Sequence, residues 1–381
     1  MQRRVFLKSG ALALVTLGLS PSFLRRAVYA QALPRAGKGK VLICLFQRGA
    51  ADALNIVVPH GDPNYYALRP DIAIARPGYA GAGAIDLDGF FGLHPAMSPL
   101  EPLWDRGLLA PVHAVGSPSA TRSHFDAQDF MESGTPDVKG TDGWLNRFLA
   151  ARGTCAEREV RESPFRAVAF ASQTPRILAG PDLIHGAGTE AHDAMKMLEA
   201  ANPRKYAAEH GAAYPCSPFG RSLSQIAQLV KSDVGLEIAF ADVGGWDTHV
   251  NQGGATGQLA NRLADFSQSI AALVTDLGDR MDDVVIMTMS EFGRMAKQNG
   301  KGGTDHGHAG ALFVIGGQVR GHRVHGRWPG LAPEQLHEGR DLALTTDFRA
   351  VFAELLRKHL GATRTDAIFP GFDGNAQAGV L

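Results

Sequence analysis

The sequence predicts a doubly wound α/β fold: a mostly parallel sheet sandwiched by helices, with an irregular insertion or cap. Three observations predict it. Short continuous apolar runs recur along the chain, as expected of strands buried on both faces of a parallel sheet. Stretches with apolar residues at helical spacing lie between several of those runs, and polar Gly-rich segments follow the runs directly. Together they imply alternating strand and helix units.

The chain opens on "QRRVFLKSGALALVTLGLS", which joins Arg3 and Arg4 to Phe6, Leu7 and Lys8 and then to a weakly apolar run. The run is too short to span a bilayer comfortably. This pattern resembles a twin-arginine export signal over residues 1–30, with Val28-Tyr29-Ala30 as the cleavage site before Gln31. It implies passage through the twin-arginine machinery to the periplasm or beyond, with no stable membrane span once the signal is removed. Residues 31–39 read as a tether leading into a single domain over 40–381.

The first strand is Val41 to Phe46, and similar runs recur at "LLAPVHAVG", "RAVAFAS", "GLEIAFADVGG", "DVVIMTMSEFG" and "ALFVIGG". From Gln258 to Met281, Leu259, Leu263, Phe266, Ile270, Leu273, Val274 and Leu277 recur every three or four residues, giving an amphipathic helix packed on a sheet. The closing "TTDFRAVFAELLRKHLG" starts a helix with Thr346 or Asp347 as N-cap and stops it at Gly361. Residues 135 to 235 are less regular, with helix-like "GTEAHDAMKMLEAANPRKYAAEHGAA" among Pro-rich turns, and read as the insertion or cap.

Composition narrows the function classes. Apolar residues make up 45% of the chain, enough for a large core, and Lys+Arg balance Asp+Glu at 38 each. Loss of residues 1–30 removes Arg3, Arg4, Lys8, Arg25 and Arg26 and no acid, leaving 33 basic against 38 acidic side chains, a formal charge of −5. That balance argues against nucleic acid as a partner. The cysteines Cys44, Cys155 and Cys216 are too few for a disulfide scaffold and lack the spacing of a thiolate metal site. Cys44 reads as core, whereas Cys155 and Cys216 are a possible pair in an oxidising compartment.

In open α/β sheets ligands sit beyond the carboxyl ends of the strands, so polar residues directly after apolar runs carry most weight. Asp52 follows the first strand in "QRGAADALN"; Asp247 and His249 follow another in "DVGGWDTHVNQ"; Ser290, Glu291 and Arg294 follow a third in "SEFGR". The stretch "GTDHGHAGA" places Asp305, His306 and His308 ahead of the last full strand. Two divalent cations about 4 Å apart need roughly six oxygen and imidazole ligands from several loops. Asp52, Asp247, His249, Asp305, His306 and His308 supply that number. Glu291 and Arg294 are read either as groups orienting those ligands or as a nearby ion pair, and Trp246 either as a stacking surface for substrate or as packing. His94 and His113 read as structural.

The segments "QRGAADALN", "SHFDAQDFMESG", "GGWDTHVNQ", "MSEFGR", "GTDHGHAGALFVIGG" and "TTDFRAVFAELL" together resemble an exported family known as domain of unknown function 1501. That family is itself similar to the alkaline phosphatase, sulfatase and phosphoglycerate mutase superfamily, whose Asp-His-Gly element helps hold a bimetal centre around a Ser or Thr nucleophile. The resemblance implies an alkaline-phosphatase-like fold, one cation on Asp247, His249 and His308, and a second on Asp52, Asp305 and His306. It implies zinc first, with calcium, manganese or magnesium as alternatives. The nucleophile it implies is Ser123, or Thr121, in "PSATRSHFDAQ", with Arg122 placed to meet an anionic ester oxygen. Ser123 also reads as a helix N-cap with Asp126 at the third position. One departure stands out: Asp247 and His249 are separated by a single residue, so an extended backbone would turn His249 away unless the turn at Gly244-Gly245 restores convergence.

The expected function is an exported metal-dependent hydrolase of small anionic phosphate or sulfate esters. The alternative is a non-catalytic periplasmic binding or assembly protein keeping the fold and one structural metal. A metal-independent serine hydrolase is disfavoured because Ser123 lacks a Gly-x-Ser-x-Gly elbow.

Overall fold

Strand Val41–Arg48 (β1) alternates its side chains between two apolar layers, as the period-2 geometry of an extended chain requires. The computed structural model describes residues 6–8, 12–14, 39–153, 166–171, 175–180 and 206–381. Val41, Ile43 and Leu45 face one layer and Leu42, Cys44 and Phe46 the other, all buried. A strand flanked by apolar matter on both sides belongs at the centre of a sheet.

β1 is joined there by Leu109–Gly116 (β2), Ala167–Phe170 (β3), Ile238–Gly244 (β4), Val284–Met289 (β5), Gly310–Gly316 (β6) and Thr346–Asp347 (β7). Their order across the sheet is β3-β4-β1-β5-β6-β2-β7. β1 pairs in parallel with β4 and β5, from Leu42 opposite Ile238 and Val41 opposite Val284. β6 runs antiparallel to both of its neighbours, β5 and β2. Two short strands, Phe6–Lys8 and Leu12–Leu14, extend the sheet beyond β3. The mostly parallel, helix-flanked sheet expected from the apolar runs is the one found.

Both faces are covered. Helices Pro218–Lys231 and Gln258–Leu277 bring Leu223, Ile226, Leu263, Phe266 and Ile270 onto one face. Helices Trp144–Gly153 and Phe348–Lys358 bring Trp144, Phe148, Val351 and Leu355 onto the other. Each fully buried side chain of this kind contributes about 1.5–3 kcal/mol relative to exposure. Asp347 caps helix Phe348–Lys358 by accepting from the Arg349 backbone N–H.

The segment read as insertion or cap divides. Ala167–Phe170 enters the main sheet beside β4, and Pro218–Lys231 packs on it, so these parts lie within the layers. Most of the helix-like stretch at 188–213, and Cys155, fall outside the described residues; Cys216 is exposed and Cys44 buried. The export-signal reading likewise falls outside them, except for the two short strands. Among the described residues no helix is long and apolar enough to cross a membrane.

The direction of β6 decides where the candidate loops can meet. Because β6 runs against the parallel strands, the segment that precedes it arrives at their carboxyl edge. The ends of β1, β4 and β5 and the approach to β6 therefore share one rim.

His113, inside β2, is buried with Nε2 facing the Val57 carbonyl at 3.0 Å and Nδ1 facing the Ala114 backbone N–H at 2.9 Å. Only a neutral ring satisfies both partners, since a proton on Nδ1 would set two donors face to face. Burial accordingly depresses His113 to about 4 and, on the same ground, His308 to about 4. An unfolded histidine titrates near 6.5, so between about 6.5 and 4 the unfolded chain binds the extra proton and stability falls as pH drops. His113 alone contributes a loss on the order of 3 kcal/mol across that window. Urea midpoints measured in chelator from pH 7 to 4.5 should decline steadily; a flat profile would contradict the neutral buried ring.

Candidate metal centre

Five loops at the common rim supply the site. β1 ends into Gly49, β2 leads through 117–123 into helix His124–Ser133, β4 ends into Asp247 and His249, β5 ends into Glu291 and Arg294, and Asp305-His306 precede β6. Gly49 has φ +121°, and a Cβ there would lie 2.7 Å from the Asp247 backbone nitrogen. The β1 and β4 loops can touch only because that position is glycine. Gly307 serves the next contact, since a Cβ on it would lie within 2.3 Å of the Arg294 carbonyl carbon. Gly307 donates its backbone N–H to the Gly293 carbonyl at 2.8 Å, tying Asp305-His306 to the β5 loop.

One ligand atom each from His124, Asp247 and His306 lie within 4.8 Å of one another, a group able to hold a metal ion. His249 joins them: its Nε2 is 3.0 Å from His306 Nε2 and 3.0 Å from Asp247 Oδ1. His124 Nε2 is 3.0 Å from His306 Nε2 and 3.6 Å from Asp247 Oδ2, and His306 Nε2 is 3.3 Å from Asp247 Oδ1. His249 lies beside Asp247 despite their close spacing because the chain turns tightly at Asp247, where the Thr248 backbone N–H donates to the Trp246 carbonyl at 2.9 Å.

The other ring nitrogens decide the tautomers. His124 Nδ1 faces Glu291 Oε1 at 2.7 Å, His249 Nδ1 faces Asp305 Oδ1 at 3.1 Å, and His306 Nδ1 faces the Arg122 carbonyl at 2.9 Å. An acceptor opposite Nδ1 demands Nδ1–H, so in each neutral ring the lone pair sits on Nε2. Three such lone pairs converge on one another and on a carboxylate. They repel unless protons or a cation lie among them, and three imidazole nitrogens with one carboxylate suit zinc or a similar divalent ion. The residues fit a metal.

Charge around the centre is organised to the same end. Burial works to raise the Glu291 carboxyl, but hydrogen bonds from His124, Gln128 and the Gly49 backbone outweigh it and hold it below the ordinary carboxylate range. The Glu291 hydrogen bond raises His124, against its burial. Partial burial raises Asp247, yet the Arg294 guanidinium, bonded to its Oδ1 at 2.6 Å, leaves it depressed overall. Arg294 is itself buried and braced by Thr304 through the hydroxyl and the backbone carbonyl. His306 is lowered by burial first.

Of the residues singled out in the sequence, the structure brings Asp247, His249 and His306 together and places Asp305, Glu291 and Arg294 behind them as partners. Asp305 bonds His249 and Asn299, the latter lowering its carboxyl most. Asp52 is elsewhere. It is buried against Arg69 at 2.6 Å, also accepts from Gln252, and starts the short helix Ala53–Ile56. A carboxylate beside a fully buried guanidinium is already neutralised. His308 stacks on His337 with ring centroids 4.2 Å apart, and takes no part in the hydrogen bonds that join the cluster. Arg122 spends its guanidinium on Asp341 and Glu338, so what it gives the centre is its carbonyl. Ser123 caps helix His124–Ser133, accepting from the Asp126 N–H at 3.5 Å. Trp246 is fully buried edge-on to Phe266, as packing.

His124 is the member that sequence reasoning passed over. The signal was present, because it follows the end of β2 by the same rule that picked out the other loops. Arg69, which claims Asp52, gave no comparable sign.

A family model described as "Protein of unknown function (DUF1501)" matches residues 181–368. None of the curated proteins compared with the chain matches it. Among solved structures, the lipoteichoic acid synthase LtaP from Listeria monocytogenes is similar at 10% identity and TM-score 0.35, over 75% of this chain and 68% of that one. The C-terminal periplasmic domain of EptC from Escherichia coli, solved in complex with Zn, is similar at 11% identity and TM-score 0.37, over 75% of this chain and 78% of that one.

Proposed function

We propose that this chain, whose residues 181–368 match the DUF1501 family model, is an exported, divalent-metal-dependent hydrolase of small phosphate or sulfate esters. The observation that carries the reading is the convergence of three imidazole Nε2 atoms and Asp247, each ring oriented by an acceptor on Nδ1. His124, His249, His306 and Asp247 would hold the ion, zinc being the best match to the donor set. A bound divalent cation supplies Lewis-acid polarisation of an ester oxygen and acidifies a nearby hydroxyl.

The protein's own groups do the rest. Ser123 precedes His124 at the N-terminus of a ten-residue helix, where backbone N–H groups favour negative charge, and we assign its hydroxyl as nucleophile. Its side-chain bond to the Asp126 N–H is long and easily given up. Arg294 keeps Asp247 ionised, and Glu291 accepts the Nδ1–H of a neutral His124 so that its Nε2 lone pair is aimed at the centre. The tether and the leader of residues 1–30 suit delivery to the periplasm.

A second reading has its own support. Asp52 and His308, expected to complete a two-metal set, are engaged with Arg69 and His337, so among the described residues one cation group stands alone. A single metal on that group fits a non-catalytic periplasmic binding or assembly protein as well. Elemental analysis of the purified chain, with hydrolysis of aryl phosphate and aryl sulfate followed before and after chelation, separates them. The hydrolase reading expects near-stoichiometric metal and turnover that chelator abolishes and zinc restores. Metal that raises thermal stability without any turnover supports the second reading, and a metal-free chain whose activity ignores chelator removes both.

A further inference from the structure

We infer that Gln128 is a positioning residue for the cation-binding centre, acting through Glu291 to set the tautomer and aim of His124. The inference rests on the metal reading of that centre. Gln128 lies one helical turn after His124, at the i+4 position of helix His124–Ser133, so its side chain returns to the same face.

The carboxamide is not free to turn over. Arg48 donates Nη1–H to Gln128 Oε1 at 3.0 Å, which compels the amide nitrogen to point the other way, and there Nε2 donates to Glu291 Oε1 at 2.8 Å. Arg48 is in turn fixed by Asp242 at 2.7 Å and by buried Glu132 at 2.9 Å. The chain of contacts thus runs from two acids at the end of β4 and in the helix, through one guanidinium and one amide, to the carboxylate that receives His124 Nδ1–H. It has a defined polarity at each link.

That polarity explains a choice of residue type. Glu291 Oε1 accepts from Gly49 N–H, Gln128 N–H and His124 Nδ1–H together, and these three donors fix where the carboxylate sits. With Nδ1–H committed to Glu291, the His124 Nε2 lone pair faces His306 and Asp247. A glutamate at 128 would oppose two carboxylates, and an apolar residue would leave Glu291 one donor short. Either change loosens His124 without touching any ligand.

The test compares Gln128→Met, which fills nearly the same volume, and Gln128→Glu, which keeps the shape and reverses the polarity, with the parent protein. Zinc dissociation constants are measured by competition with a chromogenic chelator, and thermal midpoints are taken in excess chelator. Both variants should keep the parent's chelated midpoint within a few degrees and bind zinc about 10–100-fold more weakly, the usual cost of losing an outer partner of a metal-bound histidine. Gln128→Glu should be the weaker of the two. A Met variant that binds zinc within two-fold of the parent overturns the inference and leaves the metal reading intact. A parent that binds no zinc overturns both.

Discussion

His306→Ala should abolish cation binding outright. Among the described residues, His306 Nε2 is the nitrogen in contact with both of the other imidazoles, at 3.0 Å each, and with Asp247 at 3.3 Å. Its loss opens the middle of the donor set, so the weakening should exceed the 10–100-fold that removal of an outer partner costs. Turnover of aryl phosphate should vanish with the metal. The variant should still fold, because His306 is a side chain at a solvent-reached rim whose removal leaves its Nε2 neighbours and the Arg122 carbonyl open to water. A holo protein gains RT ln(1 + [metal]/Kd), about 4 kcal/mol at a thousand-fold excess over Kd, and that increment should be missing from the variant. Zinc-dependent stabilisation equal to the parent's would show that the ion binds elsewhere.

Asp52→Ala should do the reverse: damage the fold and spare the cation site. Asp52 and Arg69 are both fully buried, and Arg69 would keep its bonds to Ala296, Met295 and Asn55 while losing its counter-charge. Removing one partner of a buried ion pair costs about 3–5 kcal/mol. Urea unfolding in chelator should report that loss, and the metal content of the folded fraction should equal the parent's. A variant with parental stability in chelator but no bound metal would restore Asp52 to the ligand set implied by the family resemblance. The pair of experiments therefore separates a ligand histidine from a structural aspartate, two potential metal ligands in similar loops.

Much of the fold was legible because its causes are local. Continuous apolar runs such as Val41–Phe46 mark strands with two buried faces, and the spacing from Leu259 to Leu277 marks a helix with one. Ser123 and Asp347 announced helix starts through the chemistry of a short polar side chain over open N–H groups. The loops after strands pointed to the rim of the site for a topological reason, and Asp247, His249 and His306 were found by it.

What chain order leaves open is which ligand-type side chains meet. Asp52 and His308 are of the same types as Asp247 and His306 and sit in equally suggestive loops, yet one is taken by Arg69 and the other by His337. Packing chose those partners, and neither lies within a helical turn of the residue it claims.

The sequence by itself determined the layered architecture, the caps and the set of loops from which a site could be built, because those follow from periodicity and backbone chemistry within a few residues. Tertiary structure alone decided that β6 runs backwards, carrying Asp305-His306 to the carboxyl edge of the parallel strands, and that His124 rather than Asp52 meets them there. The physical reason is that coordination depends on distances of a few ångströms between groups far apart in the chain. Such distances are set by the close approach of backbones at Gly49 and Gly307 and by competition among buried charges, which no local pattern encodes.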